Sequence, residues 1–434
     1  MSDDYSNKYC IIGGGFSGIG LGKCFVQGGL PFDILERIDD FGGNWYSGSP
    51  SSKMYESTHL ISSKINTQYS DFPMPAHFPN YPNHTQVLEY LQLIARHYKL
   101  YDHAQFNTEV TKLEPVGDFW RITLANGEER LYKGVVVCNG LLREKKIPSY
   151  SGQFEGEIIH SIDYKSQDQL RHKRVLIIGA GNSGCDIAVD SAHSASTTFQ
   201  STRRGYHYMP KFINGQPTQE WLMELARKFD NQESYWTHVK EVFKLAGYDG
   251  TDYGLPAPDH DIFQAHPILN SLVLYYIGHG DIRPKPDVKE LKSKSVVFED
   301  GTEEQIDLIL YATGFKISLP FLSEKELTIK NGLPDLFAHT FHKTNDNILF
   351  CGYVNAPGGA GNLSNSTGRF AVAYFKALEK KTKAIQIFRK IKQGPSPDLG
   401  HKVYMHSDRH AYEVDLWQLV KFLNSLRSKF EESL

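Results

Sequence analysis

The chain has 434 residues, 40% of them apolar and 22% charged, with 47 lysines and arginines against 50 aspartates and glutamates. That is the composition of a globular protein with room for two or three cores, and the near-neutral balance gives no bulk positive field for nucleic acid. The five cysteines (Cys10, Cys24, Cys138, Cys185 and Cys351) show neither CxxC nor CxxxxC spacing. This argues against a thiolate metal cluster or a secreted disulfide framework, and points to a reducing, cytoplasmic setting.

The stretch from Met1 to Lys8 is short, polar and acidic, so no signal peptide is expected, and no apolar run approaches the roughly 20 residues of a membrane span. Tyr9-Cys10-Ile11-Ile12 then reads as a strand running into Gly13-x-Gly15-x-x-Gly18 and a helix. A second strand, Phe32 to Leu35, stops at Glu36. A helix is expected from Thr85 to Tyr98, where Val87, Leu88, Leu91 and Ile94 share a face. Strands are expected near Thr108 to Leu113, Phe119 to Leu124 and Gly134 to Cys138, with the turn Asn126-Gly127 before the last.

After Pro148 the pattern starts again. Val175-Leu176-Ile177-Ile178 runs into Gly179-x-Gly181-x-x-Gly184, and a strand from Thr197 to Ser201 ends in Thr202-Arg203-Arg204. Between Gly205 and Pro286 the chain is rich in aromatics, histidine and proline with little periodicity, and irregular, substrate-facing cover is expected there. The strand Leu308 to Tyr311, followed by Ala312-Thr313-Gly314-Phe315, is expected to return to the first domain. Apolar residues at helical spacing from Val414 to Phe430 read as a packed surface helix.

Each fingerprint is a strand, a tight turn that brings bare backbone near a pyrophosphate, and a helix whose positive end faces that anion. Two of them imply two dinucleotides, and hydride chemistry pairs a flavin with a nicotinamide. The residue closing the second strand of such a unit meets the adenosine ribose about 20 residues after the glycines. Glu36 is suited to accept hydrogen bonds from ribose hydroxyls there and repels a 2′-phosphate, whereas Arg203 and Arg204 favour one through bidentate contacts. The expectation is FAD at the first turn, NADPH at the second, and no metal. The expected fold is α/β, with two Rossmann-like dinucleotide-binding domains and the NADP-binding domain inserted into the FAD-binding domain. Their expected bounds are 1–164 and 300–434 for the two FAD-binding parts and 165–299 for the insertion.

Further motifs narrow the class. Phe154-x-Gly156-x-x-x-His160-x-x-x-Tyr164 lies between the two units, and Gly42-Gly43-Asn44-Trp45, Asp71-Phe72-Pro73 and Ala312-Thr313-Gly314 stand at other landmarks. With these motifs the chain resembles, over nearly its whole length, the flavin-containing monooxygenase family, class B flavoprotein monooxygenases related to Baeyer-Villiger monooxygenases. Its motif ends in tyrosine where Baeyer-Villiger enzymes usually place tryptophan. The resemblance implies that Gly13, Gly15, Phe16, Ser17, Gly18, Glu36, Gly43, Asn44 and Trp45 hold FAD, with Val110 at its adenine. It implies NADPH on Gly179, Gly181, Asn182, Ser183, Gly184, Arg203 and Arg204, and Ala312, Thr313 and Gly314 join the cofactor-binding set.

The implied activity is transfer of one oxygen atom from O2 to a soft nitrogen or sulfur nucleophile through a C4a-(hydro)peroxyflavin, on a small-molecule substrate, in a family whose usual state is a homodimer. One position departs. Ile61 stands ten residues before Asp71, where the family carries an asparagine that positions oxygenated flavin and nicotinamide, and isoleucine donates no hydrogen bond. Asn66, His59, Ser62 and Ser63 are the candidate substitutes. Baeyer-Villiger oxidation, an NADPH oxidase releasing H2O2, and an NADP(H)-sensing protein without turnover are the rival readings.

Overall fold

Strands buried on both faces need helices on both sides, and this chain builds two such sheets. In the computed structural model, residues 5–49, 52–330, 332–356, 358–400, 404 and 412–434 are described. The chain divides into two compact units, one of Met1–Ser52, Lys64–Arg143 and Ile317–Leu434, the other of Lys53–Ser63 and Glu144–Lys316.

The first unit carries a five-stranded parallel sheet in the order Ile348–Phe350, Gly134–Val137, Tyr9–Ile12, Phe32–Leu35, Ala104–Gln105. Helix Phe16–Gly28 follows the first strand and packs along helix Ala360–Glu379 through small residues. A Cβ on Gly368 would stand 2.7 Å from Cys24 Sγ, and one on Gly20 would stand 2.8 Å from Ser364 Cβ. An antiparallel sheet of Val110–Val116, Phe119–Leu124 and Glu129–Tyr132 contributes Leu113, Trp120, Ile122 and Tyr132 to one core with Cys10, Ile12, Val135 and Val137. The strand Glu129–Tyr132 gives no sequence signal, because it buries Arg130 and exposes Leu131. The Asn126-Gly127 turn joins it to Phe119–Leu124, with Gly127 at φ 85°. Helix His84–His97 opens on a capping box in which Asn83 and Gln86 satisfy each other's backbone N–H.

The second unit carries the matching parallel sheet, in the order Glu157–His160, Leu308–Tyr311, Arg174–Ile178, Thr197–Ser201, Ile282–Lys285. Here the structure corrects the expectation for Leu308–Tyr311. That strand does not return to the first unit but pairs on both sides within the second sheet, Leu308 with Val175 and with Glu157. Its apolar run suits the centre of either sheet equally, so hydrophobicity could not assign it.

The expected irregular cover between Gly205 and Pro286 is also corrected. It contains helices Thr218–Ala226 and Gln232–Leu245, which share an apolar cluster of Met209, Ile213, Leu225, Val239, Phe243, Ile262 and Leu269. The second of these helices buries only Val239 and Phe243, too short a stripe to register as a period. The last described helix runs Leu416–Glu431, capped by Asp415. No helix among the described residues is long and apolar enough to cross a membrane.

Candidate functional site

The two glycine turns are built the same way. Gly13 has φ 108° and Gly179 φ 113°. A Cβ would fall 2.6 Å from Cys138 O at the first and 2.5 Å from Ala312 O at the second. A Cβ on Gly18 would overlap Gly13 O, and one on Gly184 would overlap Gly179 O, so helix and turn meet only where no side chain intervenes. Helices Phe16–Gly28 and Asn182–Ser194 start at Gly15 and Gly181 with no side-chain cap and no acidic residue in the first turn. Their leading N–H groups are left for an anion.

Around the first turn, Gly43 approaches backbone to backbone. A Cβ there would lie 2.7 Å from Gly15 Cα, and Gly42 N donates to Gly14 O at 3.1 Å. Gly43-Asn44-Trp45 forms a 3-10 turn, and Asn44 O accepts from Ser52 Oγ at 2.8 Å. Glu36 is buried at the end of its strand. Its Oε2 accepts from Gly14 N at 2.6 Å and its Oε1 from Ile38 N at 3.1 Å, which fixes the carboxylate beside the turn. Phe16 stacks on Tyr69 with ring centres 4.9 Å apart, a Cβ on Gly352 would stand 2.7 Å from Ser17 Oγ, and Val110 is buried.

Around the second turn, a Cβ on Gly181 would meet nothing within 4 Å. Asn182 Oδ1 accepts from Leu269 N at 3.2 Å, and Ser183 is exposed. At the end of Thr197–Ser201, Arg203 is exposed and the Arg204 guanidinium lies 5.9 Å from the Tyr206 ring centre. Beside them, Thr202 Oγ1 is buried without a hydrogen-bond partner, a position the sequence reading passed over. Thr313 Oγ donates to Lys146 O, and Gly314 has φ 81°. Both cradles therefore fit a dinucleotide: bare backbone and uncapped N–H groups for the pyrophosphate, a fixed carboxylate at the end of one second strand, and two guanidiniums just past the end of the other.

The sequence profile of the flavin-binding monooxygenase-like family matches residues 6–429. The chain belongs to this family. It is an oxidoreductase of the monooxygenase class, and the cofactors of the family are FAD and NADPH. Flavin-containing monooxygenase 5 of Oryctolagus cuniculus is 32% identical over 431 residues, covering 94% of this chain and 80% of the relative. Dimethylaniline monooxygenase (N-oxide-forming) 2 of Pan troglodytes is 33% identical over 396 residues, covering 86% and 74%. The structure of S-allyl-L-cysteine S-oxygenase from Allium sativum shares the fold, with a TM-score of 0.67 at 18% identity over 98% of this chain and 92% of that one.

In this flavin-binding monooxygenase the motif from Phe154 to Tyr164 does structural work inside the second unit. Ile162 N donates to His160 Nδ1 at 3.3 Å, which leaves Nε2 to donate to Gly314 O at 3.1 Å. Burial pushes the imidazole pKa of His160 below its usual value. Tyr164 donates to Asp190 Oδ2 at 2.8 Å, where Ser57 Oγ also donates at 2.6 Å. Neighbouring Asp186 accepts from Tyr55 and Asn270, and desolvation pushes its carboxyl up to about 6.

The candidates around the family's asparagine position do not gather in one unit. His59, Ile61 and Ser62 belong to the second, Asn66 to the first. His59 is exposed with Nδ1 2.9 Å from Ser57 O. Ile61 packs on the apolar cluster of Met209, Ile213 and Leu225. Asn66 lies in helix Lys64–Thr67, with its carbonyl against Gly359 so closely that a Cβ on that glycine would overlap it. Ser63, the remaining candidate, is tied down within the second unit: its N donates to Gln219 Oε1 at 3.0 Å and its Oγ to Glu220, pairings no local pattern announces.

Proposed function

We propose that this flavin-dependent monooxygenase takes hydride from NADPH and transfers one oxygen atom from O2 to a soft nitrogen or sulfur nucleophile. Bound FAD supplies hydride acceptance and oxygen activation. The chain supplies position and charge. Glu36, held by Gly14 and Ile38, accepts hydrogen bonds from the flavin nucleotide's ribose, while Arg203 and Arg204 hold the 2′-phosphate of the nicotinamide carrier. That contrast at the two strand ends is the observation that carries the reading. The N-oxide-forming relative supports nitrogen as an acceptor atom. The five cysteines are unpaired and buried, which supports a reducing, cytoplasmic setting.

A second reading is favoured by Ile61. With an apolar side chain turned into an apolar cluster where the family carries an amide, part of the O2 reduced at the expense of NADPH leaves as H2O2 instead of giving an oxygen atom to product.

Steady-state kinetics with NADPH and NADH test the first reading. Each charge-assisted contact is worth about 1.5–3 kcal/mol, so Arg203→Gln is expected to lower kcat/KM for NADPH about ten- to a hundredfold and leave NADH nearly unchanged. Equal preference for the two carriers in the unaltered protein sinks the assignment. Product analysis with an organic sulfide, a tertiary amine and a cyclic ketone separates heteroatom oxidation from Baeyer-Villiger chemistry.

A further inference from the structure

Away from both glycine turns, the first unit holds a cavity of about 380 Å³ between helices Ala360–Glu379 and Leu416–Glu431. Ser70, Asn365, Arg369, Trp417, Asn424 and Arg427 line it. Two guanidiniums, amide groups and a hydroxyl make a wall rich in donors.

Its charge is unbalanced. Behind the wall, the fully buried Lys23 bonds to Asp71 and to Asn365 Oδ1, while Asp71 also accepts from Asn365 Nδ2 at 2.9 Å and Arg369 Nη2 at 3.1 Å. One carboxylate is thus shared by two cations and an amide. Arg427 Nε is buried and makes no hydrogen bond, and the nearest acid, Glu431 Oε1, stands 3.6 Å off, beyond hydrogen-bond reach. Lys23, Arg369 and Arg427 against Asp71 and Glu431 leave one excess positive charge, and part of the Arg427 side chain is open to the cavity. At the same cavity the Trp417 indole is 67% exposed, a large flat apolar face left in water.

We propose that this cavity binds a small organic oxyanion, its carboxylate or phosphate head held by Arg427, Arg369 and the Asn424 amide and its flat apolar body laid on Trp417. It is a site separate from FAD and NADPH, because no residue of Gly13–Gly18, Gly179–Gly184 or Arg203–Arg204 lines it.

Isothermal titration of the FAD-loaded protein with phenylphosphate, benzoate and inorganic phosphate tests this. Saturable one-site binding of an aromatic probe is expected, unaffected by saturating NADP+. Arg427→Gln is expected to weaken it at least tenfold, and Trp417→Ala to erase the advantage of phenylphosphate over inorganic phosphate. The preference between phenylphosphate and benzoate identifies the head group. If Arg427→Gln does not fold, Asn424→Ala with Trp417→Ala reads the same loss. Absence of binding by every probe, or binding that NADP+ displaces and Arg203→Gln weakens while Arg427→Gln does not, overturns the proposal.

Discussion

Leu35 pairs with Ile12 as Ser201 pairs with Ile178, so Glu36 corresponds to Thr202 and the arginine pair begins one residue later; on the proposed assignment, nucleotide choice rests on the charge of Glu36 against Arg203 and Arg204 rather than on backbone shape. The same logic of a single side chain applies to Ile61. Ile61→Asn returns a donor to the position where the family carries one. The fraction of NADPH oxidised that appears as H2O2, measured against product, is expected to fall at least severalfold. The variant is also expected to lose about 1–3 kcal/mol of stability in urea, because an amide enters an apolar cluster.

His160 gives a pH signature. Its folded pKa is lowered by burial, so below the unfolded value of about 6.5 the unfolded chain takes up a proton that the folded chain refuses. Stability from this group is therefore complete above about pH 6.5 and is lost on acidification. Asp186, raised to about 6, acts in the opposite direction: it favours the folded chain at low pH and loses that contribution as pH rises toward 6. The difference between the unaltered chain and His160→Gln cancels the Asp186 contribution. Chemical denaturation at pH 7 and pH 5 is expected to show a smaller acid loss in the variant, and an equal loss in both would remove His160 from the account.

At the scale of elements, the glycine turns predict a clean separation. Gly18→Ala places a methyl on Gly13 O, and Gly184→Ala places one on Gly179 O, so each opens one turn only. Purified Gly184→Ala is expected to keep its flavin absorbance per mole of protein and lose at least tenfold in NADP+ affinity; Gly18→Ala is expected to lose flavin. These turns were legible in the sequence because the first and last glycine of each, Gly13 and Gly18, Gly179 and Gly184, tolerate no Cβ, which makes that spacing a direct image of the fold. Leu308–Tyr311 was misplaced for the opposite reason: a fully buried parallel strand carries no mark of which neighbours it pairs with. The helices Thr218–Ala226 and Gln232–Leu245 were hidden by narrow buried stripes, and Thr202 and the Ser63–Glu220 pair depend on partners, or on a lack of them, that only tertiary structure defines. The chemistry-bearing charges were readable; the side chains that fix them in place were not.

For the whole molecule, each unit has its own apolar core among the described residues. Cys10, Trp120, Val135 and Phe350 belong to one, and Leu176, Phe199, Val296 and Ile309 to another. A ligand stabilises whatever folded structure forms its site, by RT ln(1 + [L]/Kd), or about 2.7 kcal/mol at a hundredfold excess over Kd. The proposed FAD cradle draws on Gly13, Glu36 and Gly43, all in the first unit, and the proposed NADP cradle on Gly179, Gly184 and Arg203, all in the second. Scanning calorimetry of the FAD-loaded protein at that excess of NADP+ is therefore expected to respond through the second unit, moving its transition up by about 5–11 °C, and stripping FAD is expected to lower the transition of the first. Arg203→Gln should cut the NADP+ shift at the same concentration to about half or less and leave the FAD shift intact. If NADP+ still raises the transition in that variant by the full amount, the guanidinium at the end of Thr197–Ser201 is not what holds the carrier, and the charge contrast between the two strand ends loses its role in selecting the nucleotides.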